Sequence, residues 1–224
     1  MTIKFVQKFT EAGDAVSFIF EPEFPIKWEA GQYMTLTLPD MPPVNNERTF
    51  TISAAPYEKH LQITTRVTES KFKQRLNKLE KGETIEADQF GGDFVWQDRS
   101  EPIVFVAGGI GITPYHSILK QRHHENKPLS VTLLYGNRSD SIPFKAELDK
   151  LAKVHPEFHV HYVVGERLDW PKMQELVPNL KESYIYLSGP EPMVDSFEEM
   201  LSVQGVHKDR LKQDWFPGYT EKNY

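Results

Sequence analysis

The chain has 224 residues, enough for one large domain or two ordinary ones, and its 39% hydrophobic and 26% charged residues are the composition of a folded protein with a buried core. A formal net charge of −6 with no block of like charges excludes an electrostatic footprint for nucleic acid and disfavours docking on anionic lipid. The absence of cysteine excludes disulfides, cysteine-bound zinc, a thiol nucleophile and iron–sulfur clusters held by the usual thiolates.

Met1–Phe5 alternates polar and apolar residues without the apolar stretch of a signal peptide. No run approaches the ~20 apolar residues of a membrane-spanning helix. The expected location is the cytoplasm. Ile3–Phe9, Ala15–Glu21, Tyr33–Leu38, Arg48–Ser53 and Leu61–Val67 are short runs rich in Val, Ile, Thr, Phe and Tyr, separated by Gly, Pro, Asn or Asp. They predict strands of a closed or nearly closed antiparallel barrel. Phe72, Leu76 and Leu79 recur at helical spacing and predict a helix over Ser70–Leu79, after which Thr84–Ala87 resumes as strand.

The pattern changes after Asp98–Pro102. Ile103–Ala107 is continuously apolar, as a strand buried on both faces must be. Comparable runs follow at Val131–Tyr135, His159–Val164 and Tyr184–Leu187, with helices predicted between them at Pro114–His124, Pro143–Val154, Pro171–Leu176 and Pro190–Val203. Proline suits the first turn of a helix, where its missing N–H costs nothing. Strands alternating with helices imply a parallel sheet with right-handed crossovers, and a boundary near residue 100.

Two segments carry chemistry. Gly108-Gly-Ile-Gly-Ile-Thr113-Pro114 leads from the first buried strand directly into a helix. Glycines let a phosphate approach the main chain, and the helix start, with Thr113 as its cap, offers unpaired N–H groups. A dinucleotide pyrophosphate fits such a turn, although the spacing is not G-x-G-x-x-G and a purely structural turn fits it too. Arg48-Thr-Phe-Thr51-Ile-Ser53 sets Arg48, Phe50 and Ile52 on one face of a strand and Thr49, Thr51 and Ser53 on the other. The arginine can clamp a phosphate while the aromatic packs a flat ring, and the alternative is an edge strand with a surface arginine.

Together these segments resemble the ferredoxin–NADP reductase superfamily, over nearly the whole chain and in the same order. Arg48-Thr-Phe-Thr51 is similar to the flavin signature Arg-x-Tyr-Ser, and Ala30-Gly-Gln-Tyr33 to the turn that precedes it. Gly108–Pro114 is similar to the nicotinamide-phosphate loop, and Ser188-Gly-Pro-Glu-Pro-Met193 to a later Cys-Gly-Pro-x-x-Met. The fold this implies is an N-terminal antiparallel Greek-key β-barrel over residues 1–99, followed by a C-terminal α/β Rossmann-like domain with a parallel five-stranded sheet over residues 100–224.

The resemblance places FAD (FMN is the alternative) in the barrel half and NAD(P)H in the sheet half. It assigns Arg48 to the flavin diphosphate, Phe50 to stacking on the flavin, Thr51 to the reactive nitrogen, and Tyr33 and Thr49 to the same site. Thr64, Arg66, Ser70, Lys71 and Phe72 fall where the family has a second phosphate loop, with Ser70 as a helix cap. Gly109, Gly111, Ile112, Thr113, Gly189, Pro190 and Met193 would hold the nicotinamide dinucleotide, with packing as the expected part of Met193. Ser188 stands where the family often has a cysteine beside the nicotinamide. Phe90–Phe94 resembles the motif that ends the barrel and is expected as a hinge. Relatives also place a late aromatic over the flavin. Phe216 and Tyr219 are the candidates favoured here, Tyr224 is a third, and Trp215 is read as a possible core plug.

Hydride transfer requires little acid–base machinery from the protein, so the lack of a catalytic triad or dyad is expected. Arg138 and Ser139 follow the second parallel strand where an NAD site more often carries an acid, which favours NADPH and leaves NADH as the alternative. His123, His124, His155, His159 and His161 are read as solvent-facing, with no metal expected. The leading function is an electron-transfer reductase without an iron–sulfur domain, passing electrons from NAD(P)H through FAD to a separate acceptor such as a ferredoxin, flavodoxin, ferric chelate or quinone. A non-catalytic coupling subunit of a larger complex and a flavin-free sensor are the competitors, and a monomer is the expected state.

Overall fold

The computed structural model describes residues 1–216 of the chain. The aromatic candidates Tyr219 and Tyr224 lie outside the described residues. Two compact units form, one from residues 1–96 with 113–124, the other from 97–112 with the chain from 125 onward. Among the described residues no helix is long and apolar enough to cross a membrane.

The first unit is antiparallel. Its strands are β1 (Thr2–Ala12), β2 (Ala15–Pro22), β3 (Tyr33–Thr37), β4 (Glu47–Thr51), β5 (Leu61–Arg66) and β6 (Thr84–Gly91). They form a six-stranded sheet in the order β4-β3-β6-β1-β2-β5. β1 turns into β2 at Gly13, whose φ of 57° places it in the left-handed region that glycine enters without strain. Phe5, Phe18, Phe20, Met34, Leu36, Ile63 and Ile85 point inward into one apolar cluster, as alternate residues of a half-buried strand must. Helix α1 (Lys71–Leu76) adds Phe72 and Leu76 to that cluster. It stops short of the predicted Leu79. There the chain tightens into turns, Lys78 N bonding Arg75 O and Leu79 N bonding Leu76 O, while the Leu79 side chain stays buried.

The second unit is built on a parallel sheet. Its strands are β7 (Ile103–Gly108), β8 (Val131–Asn137), β9 (Phe158–Val164), β10 (Tyr184–Pro190) and β11 (Leu211–Phe216). They lie in the order β11-β10-β7-β8-β9, and every pairing is parallel. β7 and β10, inside the sheet, are buried along their whole length. Helices α3 (Lys145–Val154), α4 (Trp170–Leu176) and α5 (Glu191–Val203) belong to this unit. α3 begins after Phe144, not at Pro143, because Phe144 takes a left-handed φ of 60° that a helix cannot contain. α4 is capped by Asp169, whose side chain accepts from Lys172 N at 3.0 Å.

Two further features differ from the sequence reading. β11 is a strand where an aromatic tail was expected, and Trp215 on it is 47% exposed, so it is no core plug. Helix α2 (Thr113–His124), which follows β7 in the chain, groups with the antiparallel unit. Its His116 Nδ1 donates to the Ser53 carbonyl at 2.8 Å, and Ser117 Oγ donates to the Ala54 carbonyl at 2.7 Å. One and two turns further along, Lys120 pairs with Glu58 at 2.7 Å, and the His124 ring stacks on Tyr57 at 4.0 Å. Spacings of three or four residues put these side chains on one helical face.

Candidate functional site

In the first unit the strands at the two ends of the sheet order, β4 and β5, share no ladder. They join just beyond the end of β4, where Ser53 N donates to the Gln62 carbonyl at 2.8 Å. The joint is fixed by buried polar side chains. Thr64 Oγ1 lies 3.0 Å from Ser53 Oγ and 2.7 Å from Ser17 Oγ, and Gln62 Nε2 donates to Ser17 Oγ at 3.0 Å. Beyond it, one edge of Glu47–Thr51 has no strand beside it among the described residues. Backbone N–H and C=O groups on such an edge are free to take a flat ligand with polar rims.

Side chains from β4 and α1 meet there. The Phe50 and Phe72 rings lie 6.0 Å apart, and the Arg48 guanidinium sits 5.8 Å from the Phe72 ring centre. Arg48 is exposed and Phe50 half-buried, so both can reach a ligand, whereas Phe72 is a core residue. On the other face of β4, Thr49 is exposed and shares a hydrogen bond of 3.0 Å with Thr35, while Thr51 lies opposite Tyr33. Thr51 is 6% exposed and Tyr33 38%. Gly92, with φ of 106°, lies against the Tyr33 ring, where an added Cβ would come within 2.9 Å. The Phe90–Phe94 motif thus sits inside the first unit, with Phe90 and Gly91 already part of β6.

Three residues expected at the second phosphate loop are differently engaged. Thr64 is held in the joint described above, and Arg66 is ion-paired with Asp14. Ser70 occupies the cap position of α1, but its hydroxyl makes no capping hydrogen bond. Lys71 is exposed beside it.

In the second unit, the chain leaves β7 toward β8 on one side, while β10 lies on the other. The order reverses between β7 and β10, and at such a switch point the carboxyl ends of parallel strands open a crevice for a ligand. Two turns meet at this point. A Cβ on Gly111 would stand 2.2 Å from the Ser188 carbonyl oxygen and 2.7 Å from Gly189 Cα. A Cβ on Gly108 would stand 2.1 Å from Met193 Sδ, and one on Gly189 2.5 Å from Met193 Cε. These glycines are required by contacts within the protein itself, and Met193 fills the space they leave. Gly109 has φ of 51°, and its carbonyl accepts from the Tyr135 hydroxyl at 3.0 Å. Residues Gly109–Ile112 form a 3₁₀ turn that runs straight into α2, so Thr113 is the first helical residue and not its cap. Ile112 and Thr113 are buried.

Ser188 and Pro190 are buried too, and Ser188 Oγ donates to Asp214 Oδ2 at 3.4 Å from its register position opposite β11. Asp214 escaped the sequence reading because the strand that carries it did. Phe216 is half-buried, paired with Pro190 at the carboxyl ends of β10 and β11. Arg138 and Ser139 follow β8 and are exposed. Asn137, the last residue of β8, is 8% exposed, and neither its Nδ2 nor its Oδ1 has a hydrogen-bond partner among the described residues. An unmet buried amide at this end of the sheet fits a polar ligand lying across it. Of the histidines, His159 is exposed, while His161 is half-buried and held below its ordinary pKa by burial, then by His159 and Lys172.

Comparison with known proteins bears on both units. Residues 105–199 match the oxidoreductase NAD-binding domain family. The chain is 26% identical over 95% of its length to a flavohemoprotein of Pseudomonas putida. It is 25% identical over 85% to a reductase component of terephthalate 1,2-dioxygenase from Comamonas. It spans 58% and 60% of those relatives' own lengths. Among solved structures, the flavohem-like FAD/NAD-binding domain of a Vibrio cholerae nitric oxide dioxygenase superposes with a TM-score of 0.82 at 22% identity, covering 96% of this chain and 98% of that one. A ferredoxin–NADP⁺ reductase of Plasmodium falciparum gives 0.80 at 18% identity, covering 96% and 95%.

Proposed function

We infer, from a chain that belongs to the ferredoxin–NADP reductase superfamily, that the protein is an FAD-dependent NAD(P)H oxidoreductase serving a separate electron acceptor. The observation that carries this reading is the pairing of two sites in one chain, an open β4–β5 edge bearing Arg48 and Phe50, and a glycine-packed switch point between β7 and β10. A bound flavin would supply the redox chemistry, the exchange between two-electron hydride transfer and single-electron transfer. The protein's part is to bind, orient and exclude water.

Arg48 would hold the flavin diphosphate by charge-assisted hydrogen bonds, with Lys71 and the start of α1 beside it. Phe50 and Tyr33 would pack on the ring system. The Thr51 hydroxyl would donate to the reacting nitrogen. The turn Gly109–Thr113, which opens α2, would take the dinucleotide pyrophosphate on its N–H groups. Ser188, fixed by Asp214, would stand beside the nicotinamide, and Phe216 would cover the flavin until nicotinamide displaces it. Reaction requires the donor carbon and the flavin nitrogen to approach to about 3–3.5 Å. Arg138 and Ser139 favour NADPH, with NADH accepted. One relative is the reductase component of a terephthalate 1,2-dioxygenase, which supports a partner redox protein as acceptor; the form proposed here is a ferredoxin, flavodoxin or similar carrier.

Steady-state oxidation of NADPH and NADH with ferricyanide as acceptor, with and without added FAD, tests the reading. Activity that depends on FAD supports it. A flavin-retaining protein that oxidises neither nicotinamide points instead to a coupling subunit.

A further inference from the structure

Tyr135, on β8, is fully buried in the second unit. Phenylalanine would fill nearly the same space without a polar atom to satisfy. What the hydroxyl adds is a hydrogen bond. It donates to the Gly109 carbonyl at 3.0 Å, and the Pro143 carbonyl lies 3.5 Å away. A hydroxyl carries one proton, so the shorter bond takes it.

Gly109 opens the turn Gly109–Ile112, assigned above to the dinucleotide pyrophosphate. β7, which feeds the turn, is flanked by β10 and β8. From the β10 side the turn is held by packing, since a Cβ on Gly111 would stand 2.2 Å from the Ser188 carbonyl oxygen. From the β8 side it is held by the Tyr135 hydroxyl. Gly109 sits at a φ of 51°, a region that glycine leaves as readily as it enters. A peptide unit is planar and trans, so fixing the Gly109 carbonyl also fixes the N–H of Ile110, which points the opposite way.

We propose that Tyr135 is a positioning residue for the nicotinamide dinucleotide: its hydroxyl, touching no ligand atom itself, holds the Gly109–Ile112 turn in the shape that receives a pyrophosphate. This rests on the nicotinamide reading above. When a competent shape is held only part of the time, apparent affinity falls in proportion to that fraction. Gly109 is half-buried, so water can reach its carbonyl once the phenol oxygen is gone, and the fold survives the loss.

Tyr162 provides the control. It lies opposite Tyr135 in the register of β8 and β9, with ring centres 6.2 Å apart, but its hydroxyl donates to Asp149 Oδ1 at 2.7 Å. The test is calorimetric titration of the full, FAD-loaded chain with ADP, which carries a pyrophosphate and needs no turnover. Tyr135→Phe should weaken ADP binding about three- to tenfold, the worth of one neutral hydrogen bond. Tyr162→Phe should stay within about twofold of wild type. In NADPH oxidation the Tyr135→Phe variant should show the same factor in KM and little of it in kcat, as loss of uniform binding does. Wild-type ADP affinity in Tyr135→Phe, or an equal loss in Tyr162→Phe, overturns the proposal alone. Failure of the wild-type chain to bind ADP overturns the nicotinamide reading with it.

Discussion

In the antiparallel unit, the groups facing the open β4–β5 edge are side chains, Arg48 and Phe50, carried on a strand whose one ladder among the described residues runs to β3. In the parallel unit, the corresponding surface is main chain, where Gly108, Gly111 and Gly189 let two turns close on each other and on Met193. A ligand contact made by an exposed side chain can be removed with little harm to the fold. One made by backbone packed at this density cannot, because its geometry and the fold are the same object. Substitutions should therefore separate binding from stability in the first region and fail to separate them in the second.

The largest effect is expected at Gly111. An alanine Cβ would meet the Ser188 carbonyl at 2.2 Å, and a carbonyl in a central strand cannot swing aside as a side-chain tip can. Gly111→Ala should cost about 3 kcal/mol and lower Tm by roughly 6–12 °C, measured by thermal unfolding. Gly91→Ala sharpens the contrast. No atom lies within 4 Å of its added Cβ, so its cost should be within about 0.5 kcal/mol. Equal Tm for the two variants would break the comparison.

Next comes Arg48→Ala, which should leave Tm of the flavin-free chain unchanged. It should raise the FAD dissociation constant about tenfold to a hundredfold, the worth of hydrogen bonds from a charged donor, as read by fluorescence titration. Loss of stability alongside affinity would show that the β4 edge is as inseparable from the fold as the glycine turns.

Smaller still is Ser117→Ala on α2, which leaves the Ala54 carbonyl without its 2.7 Å donor. A cost of about 1 kcal/mol is expected, with thermal unfolding again the measure. The smallest effect concerns Arg75, which donates to both Asp40 and Glu83. The hydrogen bond from Arg75, then that from the Glu80 backbone, holds the Glu83 carboxyl below its ordinary pKa. A depressed folded-state pKa contributes stability that is present above the unfolded value, about 4.3, and is lost as pH falls through the folded one. Arg75→Gln should therefore be less stable than wild type by up to ~1 kcal/mol at neutral pH, with the gap closing in acid. A gap that widens in acid reverses the sign and removes the ion pair from the account.

Much of this architecture was legible before any coordinates. Short runs rich in Val, Ile, Thr, Phe and Tyr between turn residues mark β1–β5, and apolar runs mark β7, β8 and β10 as strands buried in a parallel sheet. β11 was missed because Leu211-Lys-Gln-Asp-Trp-Phe216 is half-buried at a sheet edge and shows neither pattern. The site was legible where it depends on residue type, as at Arg48, Phe50 and the glycines. It was not legible where it depends on partners distant in sequence. Nothing local in α2 reveals that His116 and Ser117 donate to carbonyls 63 residues earlier. Nothing local in β5 shows that Thr64 is held by Ser17 and Ser53, and Arg66 by Asp14. The unmet amide of Asn137 is likewise invisible until the strand end is folded.

Anaerobic mixing of the FAD-loaded chain with NADPH in a single turnover, following the yellow flavin absorbance, tests the central claim most directly. The account predicts that the colour bleaches, and more slowly when the transferred hydrogen of the nicotinamide is deuterium. A chain that holds FAD and stays yellow with saturating NADPH and with saturating NADH would contradict it.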